Sequence, residues 1–205
     1  MRLELPRLYA ILDASYYSDP GAMLGVAADL VAAGCTLIQY RNKSGAARPM
    51  LEDARNLRRR LGDRCQLIMN DRADLALAAE FDGLHVGQDD LSPEAARRII
   101  GSCLWLGVST HNPEQILEAD KTSADYLAVG PVFATSSKGN PDPVVGLEGV
   151  RRARHLTRKP LVAIGGITRA TARSVIDAGA DSVAVISGLL RDPRTSAEAF
   201  LEVLR

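Results

Sequence analysis

Short apolar runs alternate with amphipathic stretches along the whole chain. The runs at residues 8–12, 37–40, 66–69, 83–86, 105–108, 126–129, 161–164 and 182–185 read as strands. They are four or five residues long and largely apolar, the pattern of parallel strands covered on both faces. Between them, apolar positions recur at three- and four-residue spacing, as on helices with one buried side. Met50, Ala54, Leu57 and Leu61 line one such face, and Ala197, Phe200, Leu201 and Leu204 another. Ser92-Pro93-Glu94 and Asn112-Pro113-Glu114 are matching helix starts: a capping side chain, proline at the first helical position, then an acid. Gly34 and Gly179 fall where helices would end.

Alternate strands share a second pattern. Asp82-Gly-Leu-His-Val-Gly87, Asp125-Tyr-Leu-Ala-Val-Gly130 and Asp181-Ser-Val-Ala-Val-Ile186 all read acid-x-apolar-x-apolar-small, and Cys35-Thr-Leu-Ile-Gln-Tyr40 follows without the acid. An open doubly wound sheet would not require every second strand to match. A (β/α)8 TIM barrel fills its interior in layers drawn from alternate strands, so the pattern predicts a single α/β barrel domain over residues 1–205.

Composition narrows the function. Acidic and basic residues balance at 25 each, against a general nucleic-acid surface, so any anion must be held by a local cluster. No apolar run reaches membrane-spanning length, and the first residues lack the core of a signal peptide. Cys35, Cys65 and Cys103 are odd in number and lack metal-ligand spacing, which points to a reducing, cytoplasmic setting. A homo-oligomer is left open.

In a barrel, polar residues at the C-terminal ends of strands are the functional candidates. The second strand ends Gln39-Tyr40-Arg41-Asn42-Lys43, and alternation puts Gln39, Arg41 and Lys43 on one side. Two cations and an amide in one place suit a polyphosphate. The third strand ends Asn70-Asp71 and the fourth Gln88-Asp89-Asp90. One carboxylate from each would suit Mg²⁺, which takes one or two from protein. The fifth ends Ser109-Thr110-His111. His111 is either a proton shuttle or structural, His85 reads as a hydrogen-bonded barrel residue, and His155 as surface. Residues 131–145 have no periodicity and carry Thr135, Ser136, Ser137 and Lys138, as a binding loop or lid would. Gly165-Gly166 and Ser187-Gly188, after consecutive strands, offer backbone N–H groups to a second phosphate. No nucleophile–histidine–acid signature is visible.

The ordered set Gln39-x-Arg41-x-Lys43, Asn70-Asp71, Gly87-Gln88-x-Asp90, Gly107-Val-Ser109, Gly130-Pro131, Thr135-Ser-Ser-Lys138, Ile164-Gly-Gly-Ile167 and Val185-Ile-Ser-Gly188 resembles thiamine-phosphate synthase. The likeness runs from about Leu8 to Leu190. It implies a transferase that joins an aminopyrimidine diphosphate to a thiazole phosphate with release of pyrophosphate. By this resemblance the strand-two segment from Gln39 to Lys43, with Asn70, Ser109 and Lys138, would hold the pyrimidine diphosphate. Arg41, Lys43, Ser109 and Lys138 would act on the leaving group. Thr135, Ser136, Ser137, Gly166, Ile186 and Ser187 would hold the thiazole phosphate. Asp71 and Asp90, rather than Asp89, would bind Mg²⁺. The alternatives are a thiazole tautomerase of the same barrel, which would be expected to lack the strand-two cations and the metal acids, and a non-catalytic phosphate-ligand sensor.

Overall fold

In the computed structural model, which describes residues 3–135 and 142–205, every apolar run becomes a strand. The strands are β1 (Leu8–Asp13), β2 (Leu37–Arg41), β3 (Gln66–Asn70), β4 (Gly83–Val86), β5 (Trp105–Thr110), β6 (Tyr126–Val129), β7 (Leu161–Ile164) and β8 (Ser182–Val185). They alternate with α1 (Pro20–Ala32), α2 (Ala47–Leu61), α3 (Ala73–Ala78), α4 (Pro93–Ile100), α5 (Pro113–Asp120), α6 (Gly146–Leu156), α7 (Arg169–Asp177) and α8 (Pro193–Val203). The strands pair in parallel in chain order, and β1 pairs with β8 to close the barrel. The open-sheet alternative is thereby excluded. Strands β1, β2, β3 and β5 run further than their apolar cores, so the polar Asp13, Arg41, Asn70 and Thr110 stay in the sheet.

The core has two layers, as alternation along each strand demands. Outward residues such as Leu8, Ala10, Leu12, Ile38 and Met69 pack beneath the helices, against Met50, Ala54 and Leu57 of α2 and their counterparts. Inward residues Tyr9, Ile11, Leu37, Ile68, Tyr126, Ala128, Val162 and Ala184 fill the barrel. The helix starts form as their sequences require. Ser92 Oγ accepts from Ala95 N at 3.2 Å, and Asn112 Oδ1 from Gln115 N at 2.9 Å. Asp19 and Asp192 cap α1 and α8 in the same way, each followed by proline.

The repeated acid has a structural task at the barrel's N-terminal end. Asp82, Asp125 and Asp181 accept from the N–H groups of Leu67, Leu106 and Leu161, at 2.7, 2.7 and 2.8 Å. Each also receives a guanidinium from the helix before the preceding strand: Arg58 at 2.6 Å, Arg97 at 2.6 Å and Arg154 at 2.9 Å. The same arginines bond backbone carbonyls nearby, such as Gly101 O from Arg97 and Lys159 O from Arg154. At the fourth position Cys35 carries no acid, and its Sγ instead meets Leu37 O at 3.4 Å. Each clamp joins a helix, a strand end and the next strand. Asp125→Ala leaves Leu106 N–H without its acceptor and Arg97 with backbone carbonyls only, and is expected to cost about 1–3 kcal/mol, the scale of a buried donor left unsatisfied. Denaturant unfolding should show the loss as a lower midpoint at an unchanged slope.

Candidate active site

The C-terminal strand ends open into a cavity of about 490 Å³. Its walls carry opposite chemistries on opposite sides. Polar and charged residues come from β1 to β5, while glycines and small residues come from β7 and β8.

On the first side Asp13 and Arg41 are register partners at the ends of β1 and β2, and they form an ion pair. Asp13 is nearly fully buried, while Arg41 keeps contact with the cavity. Asp13 also accepts from Ser15 N at 3.0 Å and Ser15 Oγ at 2.7 Å, so the loop after β1 fixes it. Lys43 pairs with Asp71 and lies 4.0 Å from Asp90. Asp71 takes a left-handed φ of 62°, and its N–H is tied to His85 O at 2.8 Å. That turn brings its carboxyl against Asp90, whose Oδ2 accepts from Gly87 N at 2.8 Å. Burial and then the Asp90 carboxylate push Asp71 up to about 6. Burial acts against Asp90 as well, but the hydrogen bond from Asp71, the Gly87 N–H and Lys43 outweigh it and hold Asp90 low. As the pH falls, the pair therefore takes up its first proton near 6, on Asp71. Two carboxylates this close need a proton or a cation between them, so the donor set fits a hard dication with oxygen ligands completed by phosphate and water. Among the described residues no third acidic or histidine ligand joins them.

Further in, Asn70 Nδ2 is buried and meets no acceptor among the described residues, and Asn70 lines the cavity. An unpaired buried donor at a cavity wall awaits a ligand acceptor. Gln39 and Ser109 also line it. Between these two runs a buried chain: Gln39 Nε2 to Tyr9 OH at 2.9 Å, Tyr9 to Tyr126 at 3.1 Å, Tyr126 to His85 Nδ1 at 3.1 Å, and His85 Nε2 to Ser109 Oγ at 2.9 Å. His85 is thus the hydrogen-bonded barrel residue expected of it. His111 ties the end of β5 to Gly130 O through Nδ1 at 2.6 Å and meets Asp142 at 3.4 Å, a structural placement at the cavity wall. His155 is exposed.

The opposite side is made of backbone. Gly165 and Gly166 have φ of 98° and 64°, where a side chain is strained, and a Cβ on Gly166 would lie 2.5 Å from Ala134 O. The N–H groups of Gly166, Ser187 and Gly188 meet no acceptor among the described residues. Ser187 and Gly188 open a 3-10 turn after β8, and Ile186 precedes them at the cavity wall. Thr135 lines the same end.

Two expected residues are not brought in. The Tyr40 side chain points outward, fully buried beneath α2, and its hydroxyl donates to Asp53 at 2.9 Å. Asn42 bonds that hydroxyl at 3.0 Å and Ser44 N at 2.9 Å, so it shapes the loop. Alternation explains both: they have the parity opposite to Gln39, Arg41 and Lys43. Ser136, Ser137 and Lys138 lie outside the described residues. Asp89 is exposed and makes no hydrogen bond or ion pair among the described residues.

Sequence reasoning passed over Asp13, Tyr9 and Arg169. Asp13 is the polar end of β1 and was open to the rule that found Arg41. Tyr9 sits mid-run and reads as core, with no local signal. Arg169, the first residue of α7, lines the cavity near Gly166 and Ser187 and has no carboxylate partner among the described residues. A cation at a helix N-terminus opposes the helix dipole, which is the signal that marks it.

Comparison with known proteins agrees with this geometry. A family model described as thiamine monophosphate synthase matches residues 8–189. A thiamine-phosphate synthase of Koribacter versatilis is 60% identical over 205 residues, covering 98% of this chain and 97% of that protein. One of Chloroflexus aurantiacus is 45% identical, covering 94% and 89%. A solved thiamine phosphate pyrophosphorylase from Pyrococcus furiosus superposes with a TM-score of 0.86 at 34% identity, covering 97% of this chain and 95% of that one.

Proposed function

The chain belongs to the thiamine monophosphate synthase family, and from that membership we propose how its barrel mouth works. The reaction is thiamine-phosphate synthesis: an aminopyrimidine diphosphate and a thiazole phosphate are joined, and pyrophosphate leaves. One observation carries the assignment of the two ends. Arg41, Asn70 and Ser109 face the backbone N–H cup at Gly166 and Ser187 across one cavity, and the Lys43–Asp71–Asp90 cluster sits just beyond Asn70 at the ends of β3 and β4, so two different phosphate groups can be held at once. A tautomerase or a single-ligand sensor has no use for the first cluster.

In this reading Arg41 and Lys43 receive the diphosphate, with Asn70 Nδ2 and Ser109 on the pyrimidine side. Lys138 is added on the family resemblance. Asp71 and Asp90 are the residues that would hold magnesium, which when bound supplies positive charge to the diphosphate oxygens. The C–O bond to the diphosphate breaks as fixed cations take up the developing charge. The pyrimidine amino group delocalises the resulting carbocation, and the thiazole nitrogen supplies the electron pair of the new C–N bond. Positioning and charge stabilisation carry such a step, and no protein nucleophile is needed. Gly166, Ile186, Ser187 and Thr135 hold the thiazole phosphate, with Ser136 and Ser137 added on the resemblance. Arg169 offers this end a guanidinium.

We place the protein in the cytoplasm, acting on small molecules without nucleic acid or membrane. The chain's balanced charge supports this, and no described helix is long and apolar enough to cross a membrane. Incubation with both substrates and Mg²⁺ should release pyrophosphate, and omission of either substrate should abolish it. Release without the thiazole phosphate would show hydrolysis instead.

Ser187→Asp tests the cup. The new carboxylate repels a phosphate held by the same turn, so calorimetry should show the thiazole phosphate at least tenfold weaker and the pyrimidine diphosphate unchanged. Gly166 is the poorer test site, since its left-handed φ and the Ala134 carbonyl make any side chain disruptive. Equal weakening of both ligands at Ser187→Asp would mean the two ends are misassigned.

A further inference from the structure

The chain from Gln39 to Ser109 crosses the barrel interior, and the mechanism above uses only its Ser109 end. Its middle members, Tyr9, Tyr126 and His85, are buried and come from β1, β6 and β4. Their neighbours in the inner layer are aliphatic: Ile11, Leu37, Ile68 and Val162. Apolar side chains would fill that space without desolvating three polar groups, so packing alone does not account for them. Room has also been made for them. A Cβ on Gly107 would lie 2.1 Å from Tyr126 Cζ and 2.5 Å from His85 Nδ1. Burial raises both phenols, which therefore stay protonated and able to donate.

Each hydroxyl has one proton to give, so the direction of donation propagates from bond to bond. The Gln39 amide donates to Tyr9, so the Tyr9 proton goes to Tyr126, and the Tyr126 proton goes to His85 Nδ1. The His85 ring then carries its own proton on Nε2 and gives it to Ser109 Oγ. With that oxygen accepting, the Ser109 proton is left to point into the cavity.

We propose that Tyr9, Tyr126 and His85 are positioning residues that couple the two polar ends of the pyrimidine side, so that the orientation of the Gln39 amide sets Ser109 as a hydrogen-bond donor to the substrate. The coupling is a property of the free barrel. Its role toward the substrate rests on the function proposed above.

Two measurements separate these. In ¹⁵N-histidine-labelled protein, at a pH where the ring is neutral, the His85 resonances should show the Nε2–H tautomer. Gln39→Glu replaces the donor by an acceptor, which reverses every bond, and should switch His85 to the Nδ1–H form. Tyr126→Phe removes one buried oxygen at constant shape. It should erase the tautomer preference, and in its background Gln39→Glu should leave His85 unchanged. A wild-type Nδ1–H ring, an even tautomer mixture, or a Tyr126→Phe variant that keeps the wild-type tautomer would each overturn the coupling. None of these readings needs a substrate, so a wrong reaction assignment would not disturb them. Should Gln39→Glu fail to fold, the wild-type and Tyr126→Phe spectra decide alone. In the synthesis assay, Tyr126→Phe should lower kcat/KM for the pyrimidine diphosphate about tenfold and add nothing to Ser109→Ala. Losses that multiply in that double variant would show Tyr126 acting by another route than Ser109.

Discussion

Alanine at Asp71 or at Asp90 is expected to remove nearly all turnover, and alanine at both to cost little more. Strands β3 and β4 bring the two carboxyls together beside Lys43. Because magnesium takes only one or two protein carboxylates, losing either removes much of a shared site. Turnover should fall a hundredfold or more, the scale of lost transition-state charge stabilisation. Residues that serve one ion act as a unit, so the double variant should be far from additive. Excess Mg²⁺ should partly rescue each single variant, while Asp89→Ala, at an exposed side chain, stays near wild type. Folding should suffer only modestly: either change relieves two crowded carboxyls, against the loss of a half-exposed lysine's ion pair and, at Asp71, the strain of alanine at a left-handed φ or, at Asp90, the bond from Gly87 N. Single losses that multiply in the double variant, with unchanged Mg²⁺ dependence, would sink the shared site. The two acids would then act only through Lys43.

The barrel was open to sequence reading because two periodicities coincide. Strand runs recur with helical spacing between them, and every second strand repeats its pattern. The repeat proved to be more than barrel layering: its acids at positions 82, 125 and 181 clamp helix to strand with an arginine each. Nothing local in the sequence distinguishes those arginines, Arg58, Arg97 and Arg154, from Arg59 or Arg98. The cavity wall was legible where the polar end of a strand breaks an apolar run, as at Arg41, Asn70 and Ser109. Taking the whole stretch from Gln39 to Lys43 as substrate-binding overreached, because side-chain parity sends Tyr40 and Asn42 to the outer layer and the loop. The inner chain through Tyr9 and Tyr126 escaped for a different reason. A tyrosine in an apolar strand looks like core until its hydroxyl partner, far away in the sequence, is known.

Asp13 should show the largest combined effect on stability and activity. Its carboxylate is almost wholly out of water and has two sets of partners, the Arg41 guanidinium and the Ser15 N–H and hydroxyl. Asp13→Ala removes both sets and leaves a partly buried arginine without a counter-charge. Breaking a buried pair from one side costs about 3–5 kcal/mol. Arg41 keeps some solvent, with 21% of its side chain exposed, which argues for the lower end of that range. Asp13→Asn separates the two roles, because the amide oxygen can still accept from Ser15 while the charge facing Arg41 is gone. The guanidinium has five N–H donors, and Asp13 engages it from the β1 side while other donors remain for the diphosphate. Without the carboxylate Arg41 carries more uncompensated charge, which favours anion binding, but it loses its fixed orientation. Orientation is expected to win, since fixed donors rather than loose charge stabilise a departing phosphate. Asp13→Asn should therefore lower kcat tenfold or more while pyrimidine diphosphate binding holds or tightens, and it should have no further effect in an Arg41→Ala background. Unfolding curves and steady-state kinetics on the three variants read both consequences. Weaker diphosphate binding at unchanged kcat would mean that Asp13 serves the fold and that Arg41 finds its own place.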